Sequence, residues 1–249
     1  MHAKRLWEID SLRGIAIILM VISNFVTDVS FFGIYSINIY SGFWLFFARL
    51  VVSMFILLAG ISLTLSYSKV RNRPSREIHK KYLLRGAKIF GLGMLITLVT
   101  WIFLKQDFIL FGILHLIGIS IILGHLLVKN KRLSLFLGIL FILIGIYLQN
   151  LAFGFPWLVW LGFKPEGFYS VDYVPIFPWF GLFLIGVFLG NLLYPEGGKR
   201  FGIRDFSNSR VIIPLRFLGR NSLLIYFIHQ PILILFLWFF FPFPYHFFF

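Results

Sequence analysis

Cysteine is absent from the 249 residues, which excludes disulfides, thiolate nucleophiles and thiolate metal sites. Acid is scarce as well: nine Asp and Glu stand against 23 Lys and Arg, a formal net charge of +14. Charged residues of both signs make up only 13% of the chain, while 59% is hydrophobic and the mean hydropathy is +0.91. A soluble core of this size cannot hide so much apolar surface, so the bilayer is the expected solvent for most side chains. The 33 Phe and 7 Trp suit lipid-facing surfaces and interfacial belts. No cleavable signal pattern is read, because the basic start runs into a full-length span with no small-residue cleavage site.

What is present is a series of long apolar runs. Seven spans are predicted, about Arg13–Phe32, Phe43–Tyr67, Ala87–Leu104, Phe108–Val128, Leu133–Asn150, Val174–Tyr194 and Ser222–Phe241. Each has roughly 18–25 residues, enough for about 30 Å of hydrocarbon. The expected fold is therefore an all-α, polytopic membrane helix bundle of about seven transmembrane helices. It is expected to form one domain, residues 1–249, in the cell membrane.

The basic residues set the orientation. With the N-terminus inside, Lys4, Arg5 and Arg13 are cytoplasmic, as is the cluster from Lys69 to Lys88. So are Lys129, Lys131 and Arg132, and the group from Lys199 to Arg220, which together bring 20 of the 23 cations to one side. Only Lys105 and Lys164 fall outside, and Arg49 lies within a span. This asymmetry predicts a cytoplasmic N-terminus. It also explains the net charge as topology determinants facing anionic headgroups rather than as a nucleic-acid surface.

Several polar groups interrupt the apolar runs. Arg13, Ile17, Met20, Asn24, Thr27 and Asp28 recur at steps of three and four on one face of the first span. Asn24 falls near mid-membrane and Asp28 nearer the outside. A carboxylate at that depth is expensive unless something answers it. Arg49, at a matching depth in the second span, is the expected ion-pair partner of Asp28. His115 lies two turns into the fourth span, close to the same level. A lone histidine is ordinarily a packed residue, but this coincidence of depth makes His115 a candidate for chemistry. His125 reads as an interface residue. In the last span Ser222, Tyr226, His229 and Gln230 share a face, followed by Pro231, whose missing N–H leaves the Phe227 carbonyl open. The long outer connection, rich in aromatics, Gly and Pro, reads as an interfacial belt, with a sugar-stacking lid as the other option.

Four stretches, "EIDSLRGIAIILMVISN", "FGILHLIGIS", "GFYSVDYVPIFPWFGLFLIG" and "FLGRNSLLIYFIHQPIL", taken together resemble the heparan-alpha-glucosaminide N-acetyltransferase catalytic-domain family, part of a wider set of transmembrane acyltransferases. The resemblance covers nearly the whole chain in the same order. It implies an enzyme that takes an acyl group from acetyl-CoA on the cytoplasmic side and passes it to an amine or hydroxyl of a glycan-like acceptor across the membrane. In the wider set an Arg followed eleven residues later by His marks the first span. Arg13 matches the Arg, and Asn24 occupies the His position. Closer relatives also carry Asn there, with an active-site His soon after, whereas this chain has no His between His2 and His79.

On that reading His115 is the general base, held by Asp28, and Asn24 donates its amide to the thioester carbonyl. His229 is the rival base or a guide for the thioester arm. Arg13, Arg216 and Arg220 are placed to meet the coenzyme phosphates. No metal and no nucleic acid is expected; the partners are the bilayer, acyl-CoA and a polar acceptor, with the oligomeric state open. Two other classes carry the same features: a proton-coupled small-molecule transporter, and a non-catalytic membrane protein derived from the acyltransferase fold.

Overall fold

The computed structural model describes residues 6–105, 107–200, 202 and 205–241. Lys4, Arg5 and Arg204, counted among the cytoplasmic cations, lie outside the described residues. Within them the chain is all-helical: α1 (Trp7–Phe31), α2 (Gly42–Ser68), α3 (Ser75–Leu104), α4 (Ile113–Leu127), α5 (Lys131–Leu148), α6 (Ile176–Leu193), α7 (Ile212–Arg220) and α8 (Ser222–Phe240). Six of these, α1, α2, α3, α5, α6 and α8, are long and apolar enough to cross a membrane. Their exposure pattern fits lipid as solvent: Leu98, Trp101, Ile102 and Phe103 on α3 are each more than half exposed. The fold is a polytopic helical membrane protein.

The predicted boundaries move where local chemistry overrides hydropathy. α1 begins at Trp7 rather than Arg13, and α3 at Ser75 rather than Ala87. Glu, Lys and Arg are good helix formers, so α1 extends back through Glu8 and α3 through the basic stretch that holds Arg76, Lys80, Lys81 and Arg85. The fourth predicted span shortens in the other direction. α4 starts at Ile113, not Phe108, because Gly112 is extended (φ −94°, ψ −172°) and ends the preceding loop. α4 has 15 residues, or about 22 Å at the usual rise. The nine-residue α7 was not anticipated at all.

The chain divides into two compact units, Met1–Phe55 with Ile203–Phe249, and Ile56–Gly202. The boundary falls within α2. In the first unit α1 packs against α7 and α8. Ile17 and Met20 of α1 and Val51 of α2 are buried together, with Ile225 and Tyr226 of α8 against them. Val29, Phe32 and Leu237 form a second cluster. Of the α1 stripe read from the sequence, Ile17, Met20 and Asp28 are buried, at 2%, 5% and 6% exposed, while Arg13, Asn24 and Thr27 are partly buried. The α1–α7 contact is backbone-close. A Cβ on Gly219 would overlap the Asp10 carbonyl, so only glycine lets the two helices meet there.

In the second unit α5 packs on α6 and α3 on α4, with α4 also touching α6. Small residues set these approaches, as is common between membrane helices. A Cβ on Gly86 of α3 would lie 2.6 Å from the Gly118 carbonyl of α4. The outer connection is stitched onto the start of α4. The Val174 N–H bonds the Phe111 carbonyl at 2.9 Å, the Ser170 hydroxyl bonds the Phe108 carbonyl at 2.9 Å, and Asp172 accepts from the Ile113 N–H at 3.3 Å. Asp172 thereby caps the positive end of α4.

Candidate active site

The polar stripe of α1 meets the polar face of α8. Asn24 Nδ2 lies 2.7 Å from His229 Nε2, and Gln230 Nε2 donates to Asp28 Oδ1 at 2.7 Å. His229 Nδ1 sits 2.7 Å from the carbonyl of Tyr226, one turn earlier. A carbonyl only accepts, so Nδ1 carries the proton and Nε2 presents its lone pair to the Asn24 amide. The ring is thus fixed in both tautomer and orientation by its own helix. α8 continues through Pro231, so His229 and Gln230 stay on a regular helical face.

Asp28 is the sharpest departure from expectation. Its Oδ2 is buried and has no hydrogen-bond partner among the described residues, while Oδ1 accepts from Gln230. Arg49, the expected counter-ion, is exposed and forms no ion pair with Asp28 among the described residues. Arg49 is exposed on α2, whereas Asp28 is buried and bonded to Gln230 of α8.

His115 also differs from its expected role. Its Nδ1 accepts the Gly112 N–H at 3.1 Å. Its Nε2 lies 3.3 Å from the Thr97 hydroxyl, which itself donates to the Ile109 carbonyl at 2.6 Å. Both ring nitrogens are therefore engaged, one as acceptor and one as donor. Phe111 stacks on the ring at 5.4 Å, Phe90 meets its edge at 5.1 Å, and the residue is 2% exposed. His115 acts as one half of a capping box: the third residue of the helix reaches back to the N-cap N–H, while Gly112 has no side chain to reciprocate. Its lone pair is committed to that bond, which removes the basis for making it the proton acceptor.

His125 is an interface residue of the second unit. Its Nδ1 bonds the Ile122 carbonyl on its own helix, and its Nε2 lies 2.8 Å from His79 Nδ1 on α3.

At the start of α1 a second polar centre gathers the three predicted arginines. Asp10, 5% exposed, accepts from Arg220 Nε at 3.3 Å and lies 3.6 Å from Arg13 Nη1. Arg216, one turn before Arg220 on α7, donates Nη1 to the Ser207 carbonyl at 2.6 Å, and its buried Nε–H has no hydrogen-bond partner. Arg13 and Arg220 share the Asp10 carboxylate, and Arg216 is held by a backbone carbonyl. Asp10 was not singled out in the sequence. The signal that would have found it is its i,i+3 spacing to Arg13 in the first turn of a helix whose true start is Trp7. Asp10 and Asn24 are fourteen residues apart on α1, or about 21 Å along the axis.

Among the described residues no group of three or more His, Asp or Glu is arranged to hold a metal. No curated protein and no solved structure matches the chain. The resemblance in the four quoted stretches is independently recovered: residues 5–231 match the family described as "Heparan-alpha-glucosaminide N-acetyltransferase, catalytic", and the chain belongs to that family.

Proposed function

We propose that this membrane acyltransferase-like protein transfers the acetyl group of acetyl-CoA to an amine or hydroxyl of a glycan-like acceptor on the opposite side of the membrane. His229 is the proton acceptor. The observation that carries this reading is the fixed lone pair of His229 Nε2, aimed at an amide from another helix within the apolar part of the chain.

The chemistry needs a base for the acceptor's proton, a donor for the charge that develops on the thioester oxygen, and exclusion of water. His229 supplies the base. As the acceptor nitrogen or oxygen bonds the acetyl carbon and the C–S bond breaks, His229 passes the acceptor's proton to the departing coenzyme A thiolate. Its Nδ1–H bond to Tyr226 holds the imidazole in the tautomer that can accept at Nε2, and it disperses the positive charge gained there. Asn24 supplies the donor. In the resting arrangement its amide occupies Nε2; an incoming acceptor N–H or O–H takes that place and releases the amide toward the thioester carbonyl. Asp28, steadied by Gln230, keeps one bare carboxylate oxygen beside the pair to receive a donor of the acceptor molecule. Arg13, Arg216 and Arg220 meet the coenzyme phosphates at the basic end of α1. A long flexible thioester arm spans the intervening helix length.

The test is single-turnover acetyl transfer by the detergent-purified protein with a panel of amines and amino sugars. Loss on the order of 10²- to 10⁴-fold for His229→Ala is expected, with His115→Ala retaining turnover in whatever fraction folds. The reverse ranking would return the base to His115. If acetyl-CoA does not raise the melting temperature with concentration, and proteoliposomes show proton-coupled uptake instead, the transporter reading replaces this one.

A further inference from the structure

The second unit carries a basic cluster that the acyltransferase chemistry does not use. Lys81 and Arg85 stand one turn apart on α3, and Lys69 and Arg73 lie in the connection just before that helix, so like charges crowd there. Acid does little to relieve this. Glu77 approaches Arg73 at 3.9 Å with both side chains more than half exposed, and Glu196 is taken by Arg71 at 2.8 Å. Lys81 and Arg85 have no acidic partner among the described residues. Arg85 is half-buried, so its guanidinium gains less from water than an exposed one would.

Ser66 completes the group. Its oxygen accepts from Lys81 Nζ at 3.3 Å and from the Tyr82 hydroxyl at 3.2 Å. Tyr82 is fully buried and stacks on His125, so this edge of the cluster is rigid. On the same turn of α3, Leu83 and Leu84 are 53% and 50% exposed.

We propose that Lys69, Arg73, Lys81 and Arg85, with the Ser66 hydroxyl, form a headgroup site for an anionic phospholipid. Donors dominate the site, with Glu77 beside Arg73 an exposed exception, and the Arg fork favours phosphate geometry. The exposed leucines beside the cations supply what a free phosphate or a nucleotide has no use for, an apolar wall for the acyl chains. A polybasic segment at the end of an apolar helix is where membrane electrostatics favour such a lipid. The proposal stands apart from the reaction centre and survives or fails without it.

The test is titration of the full chain in neutral detergent, followed by native mass spectrometry and melting temperature. Its arms are phosphatidylglycerol, phosphatidylcholine, inorganic phosphate and coenzyme A. Phosphatidylglycerol is expected to bind and raise the melting temperature where phosphatidylcholine and inorganic phosphate do not. The double variant Lys81→Gln/Arg85→Gln should bind phosphatidylglycerol roughly thirty-fold more weakly. A charge-matched control, Lys131→Gln/Arg132→Gln, should stay within about twofold of the parent. Should the first double variant not fold, Arg85→Gln alone serves, with about a fivefold loss expected. Equal affinity for the two lipids, equal losses in both double variants, or displacement of the lipid by coenzyme A or phosphate would overturn the assignment.

Discussion

Asp28 is a buried carboxylate with one oxygen bonded by Gln230 and the other without a partner among the described residues. Because no cation among them answers its charge, Asp28→Asn removes a cost while keeping an oxygen for the Gln230 amide. Its melting temperature should therefore hold or rise while transfer falls. Asp28→Ala strands that amide and should lose about 1–3 kcal/mol. A marked drop in melting temperature for Asp28→Asn would mean that the charge itself is paired. Asn24 and Asp28 were legible in the sequence because polar residues stand out in an apolar run and their spacing gives the shared face. Gln230 as the partner was not, since Arg49 matched on depth and nothing in one sequence reports which way a side chain points around its helix. The same limit applies to His115. Its role rests on a backbone N–H three residues away, and backbone partners leave no mark on side-chain spacing. His115→Ala should cost stability, about 1–3 kcal/mol from the orphaned Gly112 N–H and the lost packing, with the pH profile of transfer unchanged in the folded fraction.

Among the elements, α7 matters most to the proposed chemistry and was invisible. It is nine residues long, contains Pro214, and sits inside a polar connection, so neither length nor hydropathy marks it. Its position depends on Gly219 against the Asp10 carbonyl. Gly219→Ala should push α7 off α1, cost about 1–3 kcal/mol as overpacking does, and separate Arg220 from Asp10. The expected kinetic signature is a raised KM for acetyl-CoA that is larger than the fall in kcat; an unchanged KM would detach α7 from coenzyme binding. The start of α4 was misread because the apolar run continues through Gly112 while the capping carboxylate, Asp172, comes from a distant loop. That loop contains Tyr173, whose hydroxyl donates to the Val159 carbonyl at 2.7 Å and whose ring lies under Lys164 at 5.0 Å. Burial holds its phenol above the usual tyrosine range. The native state thus favours the protonated phenol, so its stabilisation is complete below a pH of about 10 and is lost as pH rises through the folded value. The melting-temperature gap between the parent and Tyr173→Phe should narrow only on the alkaline side.

For the whole molecule, composition decides more than any motif. The apolar fraction placed the chain in a bilayer, and the helices bear this out. The charge asymmetry orients it only if the number of crossings is odd, and that number turns on α4, whose 15 residues span about 22 Å against roughly 30 Å of hydrocarbon. The extended residues before it are bonded to the 170–174 segment, and irregular backbone at membrane depth is tolerated where protein covers it. Among the described residues six helices are long and apolar enough to cross by themselves, and a seventh crossing requires α4 together with that lead-in. The absence of cysteine makes the question directly testable, because every introduced thiol is the only one in the chain. In intact cells a membrane-impermeant maleimide should label Asp107→Cys and Glu166→Cys from outside. Lys129→Cys and Ser209→Cys should react only after the membrane is opened. If Asp107→Cys and Lys129→Cys behaved alike, α4 would not cross, and the basic corner at Arg13, Arg216 and Arg220 would lose its link to the side on which the rest of the positive charge lies.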